Sequence, residues 1–149
     1  MGGKVFLDTN LFVYANDRRD PERQRTAIEA VKEMLASSRG VVSTQVLMEY
    51  AAVAVAKLRQ ERSAVTRQLL AMERFEVLAA DGQLIRSALE LMAAYALSFW
   101  DAAIVASAQA AHCDELWSED FGAGSRFGAV TVRNPLAPSQ HETSPTVSR

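Results

Sequence analysis

VFLDTN, Val5 to Asn10, is an apolar run that ends on an aspartate. Three successive apolar residues suit a short buried strand, and Asp8, with Thr9 and Asn10 behind it, marks where that strand stops. An aspartate in such a place has two readings. Its carboxylate can cap the next helix or close a turn, or it can hold a metal ion.

Downstream, strand-like and helix-like segments alternate. Asp20-Pro21 predicts a helix start with proline at the first helical position. Ala27, Ile28, Val31, Met34 and Leu35 then recur at helical spacing until Gly40 stops the helix before the strand-like Val41-Val42. Ser43 or Thr44 can cap a second long helix through VLMEYAAVAVAKL. A third helix is predicted over SAVTRQLLAMER, and Phe75 to Leu78 reads as another strand. Asp81 opens a fourth helix, whose Leu84, Ile85, Ala88, Leu91, Met92 and Tyr95 form an apolar stripe expected to be core. Ser98 opens a fifth, FWDAAIVASAQAA, and Asp114 to Trp117 and Ala129 to Val132 are two further strands. Parallel strands need long crossovers, so this alternation implies a mostly parallel sheet with helices on both faces, a three-layer α/β/α fold.

The 149 residues suit one domain, and 49% hydrophobic with 23% charged residues is an ordinary globular composition. Residues 1–136 are expected to form that domain. Residues 137–149, poor in apolar side chains and rich in Ser, Thr and Pro, are expected to be a disordered tail. The single cysteine, Cys113, has no partner for an internal disulfide, and a cysteine-based zinc cluster is excluded. A reducing compartment fits. MGGKVFLDTN lacks the succession of a signal peptide, and no apolar run approaches a membrane span, so a cytoplasmic protein is expected. The formal net charge of −2 neither supports nor excludes a nucleic-acid partner, because acids gathered in one pocket would leave the rest of the chain basic.

Functional residues in such sheets collect beyond the carboxyl ends of the strands. Asp8 belongs there, and so does Asp120, in the loop WSEDFGAG after the strand ending at Trp117. Glu49 lies in VLMEYAAVAVA, where the residues three and four away are Gln45, Val46, Ala52 and Val53. None of these can pair with it, and a buried lone carboxylate is costly unless protonated, paired or bound to metal. It is either partly exposed to water or part of a site. Asp101 closes the [ST]-x-x-[DE] box of Ser98-Phe99-Trp100-Asp101, which caps a helix N-terminus, a role compatible with metal binding. Two carboxylates about 4 Å apart repel by roughly 4 kcal/mol at an effective dielectric of 20. Four together therefore call for a divalent cation, and an oxygen-only set suits Mg²⁺ or Mn²⁺ acting on a phosphodiester. His112, near a helix end, and His141, in the polar tail, suggest no other chemistry. Neither a GxSxG motif nor a phosphate-binding glycine loop occurs.

The sequence resembles the PIN-domain ribonucleases, and especially the VapC-type toxins of type II toxin-antitoxin pairs. VFLDTNLFVYA is similar to that family's first strand and acid, STQVLMEY to its second acid, SFWDAAIVASA to its third and LWSEDFGAG to its fourth, with VTVRNP as the closing strand. The resemblance spans Val5 to Pro135. It implies a Mg²⁺- or Mn²⁺-dependent endoribonuclease that cuts RNA by water attack without a protein nucleophile. Asp8, Glu49, Asp101 and Asp120 would be the catalytic and metal-binding acids. Thr9, Asn10, Ser43 and Ser118 match small polar positions beside them, where supporting hydrogen bonds or plain caps and turns are both open. Glu119 competes with Asp120, which is preferred because the family places its acid two residues after a Ser or Thr.

RNA needs cations around such a pocket. Arg18, Arg19, Arg23 and Arg25 follow the first motif, and Lys57, Arg59, Arg62 and Arg67 the second; they are either solvated helix faces or the RNA rim. The resemblance further implies a homodimer and a small inhibitory antitoxin. Apolar residues around Val53 to Leu58 and the third helix could serve either partner or core packing. Two rivals remain open: a degenerate PIN domain that only binds RNA or protein, and an aspartate-based phosphatase, which would want a second aspartate where Asn10 stands.

Overall fold

The computed structural model describes residues 2–137. Its elements run β1 (Lys4–Leu7), α1 (Thr9–Ala15), α2 (Pro21–Ser37), β2 (Gly40–Ser43), α3 (Thr44–Ala56), α4 (Arg62–Met72), β3 (Glu76–Leu78), α5 (Gly82–Tyr95), α6 (Phe99–Ala110), β4 (Cys113–Trp117), β5 (Arg126–Phe127) and β6 (Val130–Arg133). The strands make one sheet in the order β3-β2-β1-β4-β6-β5, parallel throughout except where β5 pairs with β6. From β1 the chain steps to β2 and β3, then crosses back to β4 on the other side of β1. Right-handed crossovers place α1 to α4 over one face and α5 and α6 over the other. The three-layer α/β/α architecture expected from the alternation is present.

Strands covered on both faces need uninterrupted apolar runs. Val5, Phe6, Leu7, Val41, Val42 and Leu116 are all fully buried, packed with Ala27, Ala30 and Met34 of α2 and Ile104, Val105 and Ala108 of α6. Helix starts follow from side-chain caps. Asp8, Asp20, Ser43, Asp81 and Ser98 each accept a hydrogen bond from a backbone N–H of the helix that follows. At Gly40 the chains approach so closely that a Cβ would lie 2.6 Å from the Phe75 ring, so only glycine fits there.

Three features depart from the expectations. A separate seven-residue helix, α1, follows Asp8 directly; TNLFVYA is too short and too rich in β-branched and aromatic residues to display a helical period. The two-residue strand β5 is antiparallel and turns into β6 through Gly128 at φ 63°. In α5 the apolar stripe is core only in part: Leu84 and Ala88 are buried, whereas Ile85 and Tyr95 are 45% and 42% exposed. The cause is that α5 packs on α6 in a small cluster of its own, which covers a narrower strip than the sheet would. The expected tail, 137–149, lies outside the described residues except for Ala137, as does His141. Among the described residues no single helix is long and apolar enough to cross a membrane.

Candidate active site

β1 and β4 are neighbours from which the chain departs in opposite directions, so a crevice opens at their carboxyl ends, the usual ligand position in sheets of this kind. Their register aligns Leu7 with Trp117, and the next residues, Asp8 and Ser118, therefore emerge side by side. Asp8 donates its backbone N–H to the Trp117 carbonyl at 3.1 Å. Ser118 Oγ donates to Asp8 Oδ2 at 2.7 Å, while Asp8 Oδ1 accepts the Thr9 N–H at 2.7 Å. Capping and site-building are thus the same act for this carboxylate, which is only 4% exposed.

Glu49 arrives from the middle of α3. Thr9 Oγ1 donates to Glu49 Oε1 at 2.7 Å, and Gln45 Nε2 donates to Glu49 Oε2 at 3.0 Å and to the Trp100 carbonyl at 3.1 Å. Glu49 therefore has a local partner after all. Gln45, one helical turn before it, supplies a neutral amide that orients the carboxylate without neutralising it.

Asp101 stands in the first turn of α6, where Ser98 Oγ accepts its backbone N–H at 3.1 Å. The serine half of the capping box is formed. The Asp101 carboxylate has the Ser98 hydroxyl beside it and borders a hollow of about 490 Å³ shared with Asp120. Asp120 is steered from α1: Asn10 Nδ2 donates to Asp120 Oδ2 at 3.1 Å, and the Asp120 N–H donates to Ser118 Oγ at 3.0 Å. Glu119 turns the other way. It accepts from Tyr14 Oη at 3.0 Å and pairs with Arg23 at 3.4 Å, with the guanidinium stacked 5.0 Å from the Tyr14 ring centroid. Of the two adjacent acids, it is Asp120 that borders the hollow shared with Asp101.

Asp8 and Asp101 both feel the charges of Asp120 and Glu49. Burial pushes Asp8 up to about 7, with Asp120 and Glu49 adding to the rise against the hydrogen bonds from Ser118 and Thr9. Asp101 is raised too, by burial first and then by Asp120 and Glu49, with Ser98 opposing. Among the described residues none of the four is in a salt bridge. Asn10 Oδ1 is buried beside them without a hydrogen-bond partner. Uncompensated negative charge, oxygen-only donors and an orphaned carbonyl oxygen fit a hard divalent cation. Among the described residues no three candidate ligands are already gathered closely enough to grip one ion.

Residues 5–123 match the PIN domain family model. The chain belongs to the PIN domain family. Solved structures with the same fold include a toxin-antitoxin complex from Klebsiella pneumoniae, 21% identical over 89% of this chain and 98% of that one, TM-score 0.65. The VapC20 toxin of Mycobacterium tuberculosis, which cleaves the sarcin-ricin loop, is 22% identical over 86% and 99% of the two chains, TM-score 0.64. VapBC2 of Rickettsia felis, bound to promoter DNA, is 18% identical over 87% and 97%, TM-score 0.64. None of the curated proteins matches the sequence.

Within this PIN domain the small polar residues divide. Thr9, Asn10 and Ser118 each bond to an acid, whereas Ser43 Oγ accepts the Val46 N–H at 3.3 Å and serves as the cap of α3. The cations divide as well. Arg23 is engaged with Glu119, Arg25 is exposed on α2, and Arg18, Arg19, Lys57 and Arg59 line one cavity. Gln45 and Tyr14 were not singled out as site residues. Gln45 was legible as the residue four before Glu49; Tyr14 carried no signal, since an aromatic on a short apolar segment reads as core.

Proposed function

We propose that this PIN domain is a divalent-metal-dependent endoribonuclease acting as the toxin of a toxin-antitoxin pair. What supports it is that Thr9, Asn10 and Ser118 tie Asp8, Glu49 and Asp120 to the β1/β4 crevice, that Asp101 and Asp120 share one hollow, and that no basic side chain is paired to any of the four among the described residues. A bound Mg²⁺ or Mn²⁺ would acidify a water and neutralise the leaving oxygen of a phosphodiester. Asp8 and Asp101 would be its main protein ligands, the first braced by Ser118 and Thr9, the second beside Ser98 at the start of α6. Glu49, fixed by Thr9 and Gln45, would complete the pocket or help orient the attacking water. Asp120, held by Asn10, would act through a second metal or a bridging water. Water, and not the ribose 2′-hydroxyl, would attack phosphorus, so the products should carry no 2′,3′-cyclic phosphate.

The toxin role rests on the likeness to toxin-antitoxin complexes, and the partner would be a small antitoxin that covers the acids. A homodimer is supported by α3, whose Met48 and Val55, two turns apart, are 66% and 47% exposed, and by Trp100 at 62%. Incubating RNA with metal-stripped protein, then restoring Mg²⁺ or Mn²⁺, tests the activity. Cleavage only after restoration, with no cyclic ends, is expected; cleavage that persists in chelator would sink it.

A further inference from the structure

Between the α1–α2 corner and the α3–α4 loop lies a cavity of about 760 Å³ whose polar lining includes Arg18, Arg19, Lys57, Arg59, Gln60 and Gln68. Asp17, also on its wall, is consumed by Arg19: both of its oxygens accept from the guanidinium, at 2.9 Å each. Arg18, Lys57 and Arg59 are exposed and, among the described residues, form no ion pair. Basic side chains beside helix C-termini often serve only to meet the last carbonyls. At the end of α1 neutral amides already do that. Asn16 Nδ2 donates to the Phe12 carbonyl, Gln24 Nε2 to that of Ala15 and Gln60 Nε2 to that of Asn16. The charges are left for something else.

The cavity is tied to the acids by two helices running side by side. At one end Thr9 bonds to Glu49; at the other, Gln60 bonds to the Asn16 carbonyl, and Gln68 bridges Gln60 to Tyr50. Seven helical residues span about 10 Å, or roughly three nucleotides of a stacked strand at about 3.4 Å each.

We infer that this cavity binds backbone phosphates of the same RNA strand, about three nucleotides from the scissile bond. Three unpaired cations on a wall of amides match a phosphodiester chain, whose oxygens accept and whose ribose hydroxyls both donate and accept. The inference rests on the ribonuclease activity proposed above. It makes the site two-part: a negative centre that needs metal and a positive anchor that sets where along the strand the cut falls.

The test is binding of a fluorescent mixed-sequence single-stranded 12-mer RNA across a salt series, in Mg²⁺ and in the Asp101→Asn background so that the strand survives. Arg18→Ala, Lys57→Ala and Arg59→Gly are combined; glycine suits position 59, whose φ is 55°. Affinity is expected to fall at least about tenfold and the log–log salt slope to shrink by about 2, at roughly 0.7 per lost phosphate contact. The single Lys57→Gln variant should lose about 0.7 of slope and guards against a folding defect in the combined one. Unchanged affinity and slope would overturn the anchor while leaving the nuclease standing, provided the unsubstituted chain cleaves the same RNA. Neither binding nor cleavage by that chain overturns both. Loss of polyglutamate binding alone, with RNA unaffected, reassigns the cavity to an acidic protein segment and overturns it.

Discussion

Thr9 Oγ1 donates to Glu49 Oε1 across 2.7 Å, locking the first turn of α1 to the middle of α3. Residues 40 positions apart thereby hold one acid in place. Thr9→Val keeps the shape and removes the donor, so the fold should survive while Glu49 swings free. Loss of a hydrogen bond of this kind commonly costs 10- to 100-fold in metal affinity or activity. Cleavage rates should drop by about that factor in Thr9→Val and recover in Thr9→Ser; equal rates in all three would leave Thr9 a mere packing residue.

The metal-free protein should carry a pH signature of Asp8. Burial raises its carboxyl from 3.8 to about 7, so between those values the folded chain holds a proton that the unfolded chain has released. Stability from this group is therefore greatest on the acid side and declines as pH rises through the window. At roughly 1.4 kcal/mol per unit the change amounts to a few kcal/mol. Denaturation in chelator from pH 4 to 8 should show Asp8→Asn gaining on the wild type as pH rises, and Mn²⁺ stabilising only the wild type. A difference that runs the opposite way would mean that Asp8 is paired rather than repelled.

Arg23 and Tyr14 hold Glu119, the neighbour of Asp120. The pair should act on activity through position. Tyr14→Phe removes two hydrogen bonds at a partly buried site, one donated to Glu119 and one accepted from Arg23, each worth about 1 kcal/mol of stability, and it frees the loop that carries Asp120. A several-fold fall in cleavage rate with KM little changed is expected in Tyr14→Phe and Arg23→Ala. If kcat stays intact in both, the clamp only stabilises the fold.

Cys113 is 2% exposed, and burial pushes its thiol up to about 12. Thiolate is the reactive form, so native protein should resist a thiol reagent that labels it fully in denaturant. Rapid labelling of the folded chain would contradict the packing of β4 against the core.

The fold was legible because its strands are covered on both faces and read as unbroken apolar runs, and because Asp20-Pro21, Asp81 and Ser98 mark helix starts by chemistry that is local. What escaped was set by tertiary context. α1 is too short for a period to show, β5 exists only through its pairing with β6, and the exposure of Ile85 and Tyr95 depends on how α5 sits on α6. The acids were legible as lone carboxylates without cations nearby, and the β1/β4 register explains why Asp8 and Ser118 meet. Gln45 was in view but dismissed, since it carries no charge. The arginines could not be sorted without the structure: sequence proximity grouped Arg18 with Arg23, whereas the fold sends one to the cavity and the other to Glu119.

The most direct measurement is RNA cleavage in Mg²⁺ or Mn²⁺ by the wild type beside Asp8→Asn and Asp101→Asn, purified identically. Cleavage by the wild type, abolished by chelator and reduced at least about 100-fold in both variants, is expected for a metal site built from these acids. Cleavage at equal rates in all three proteins would contradict it.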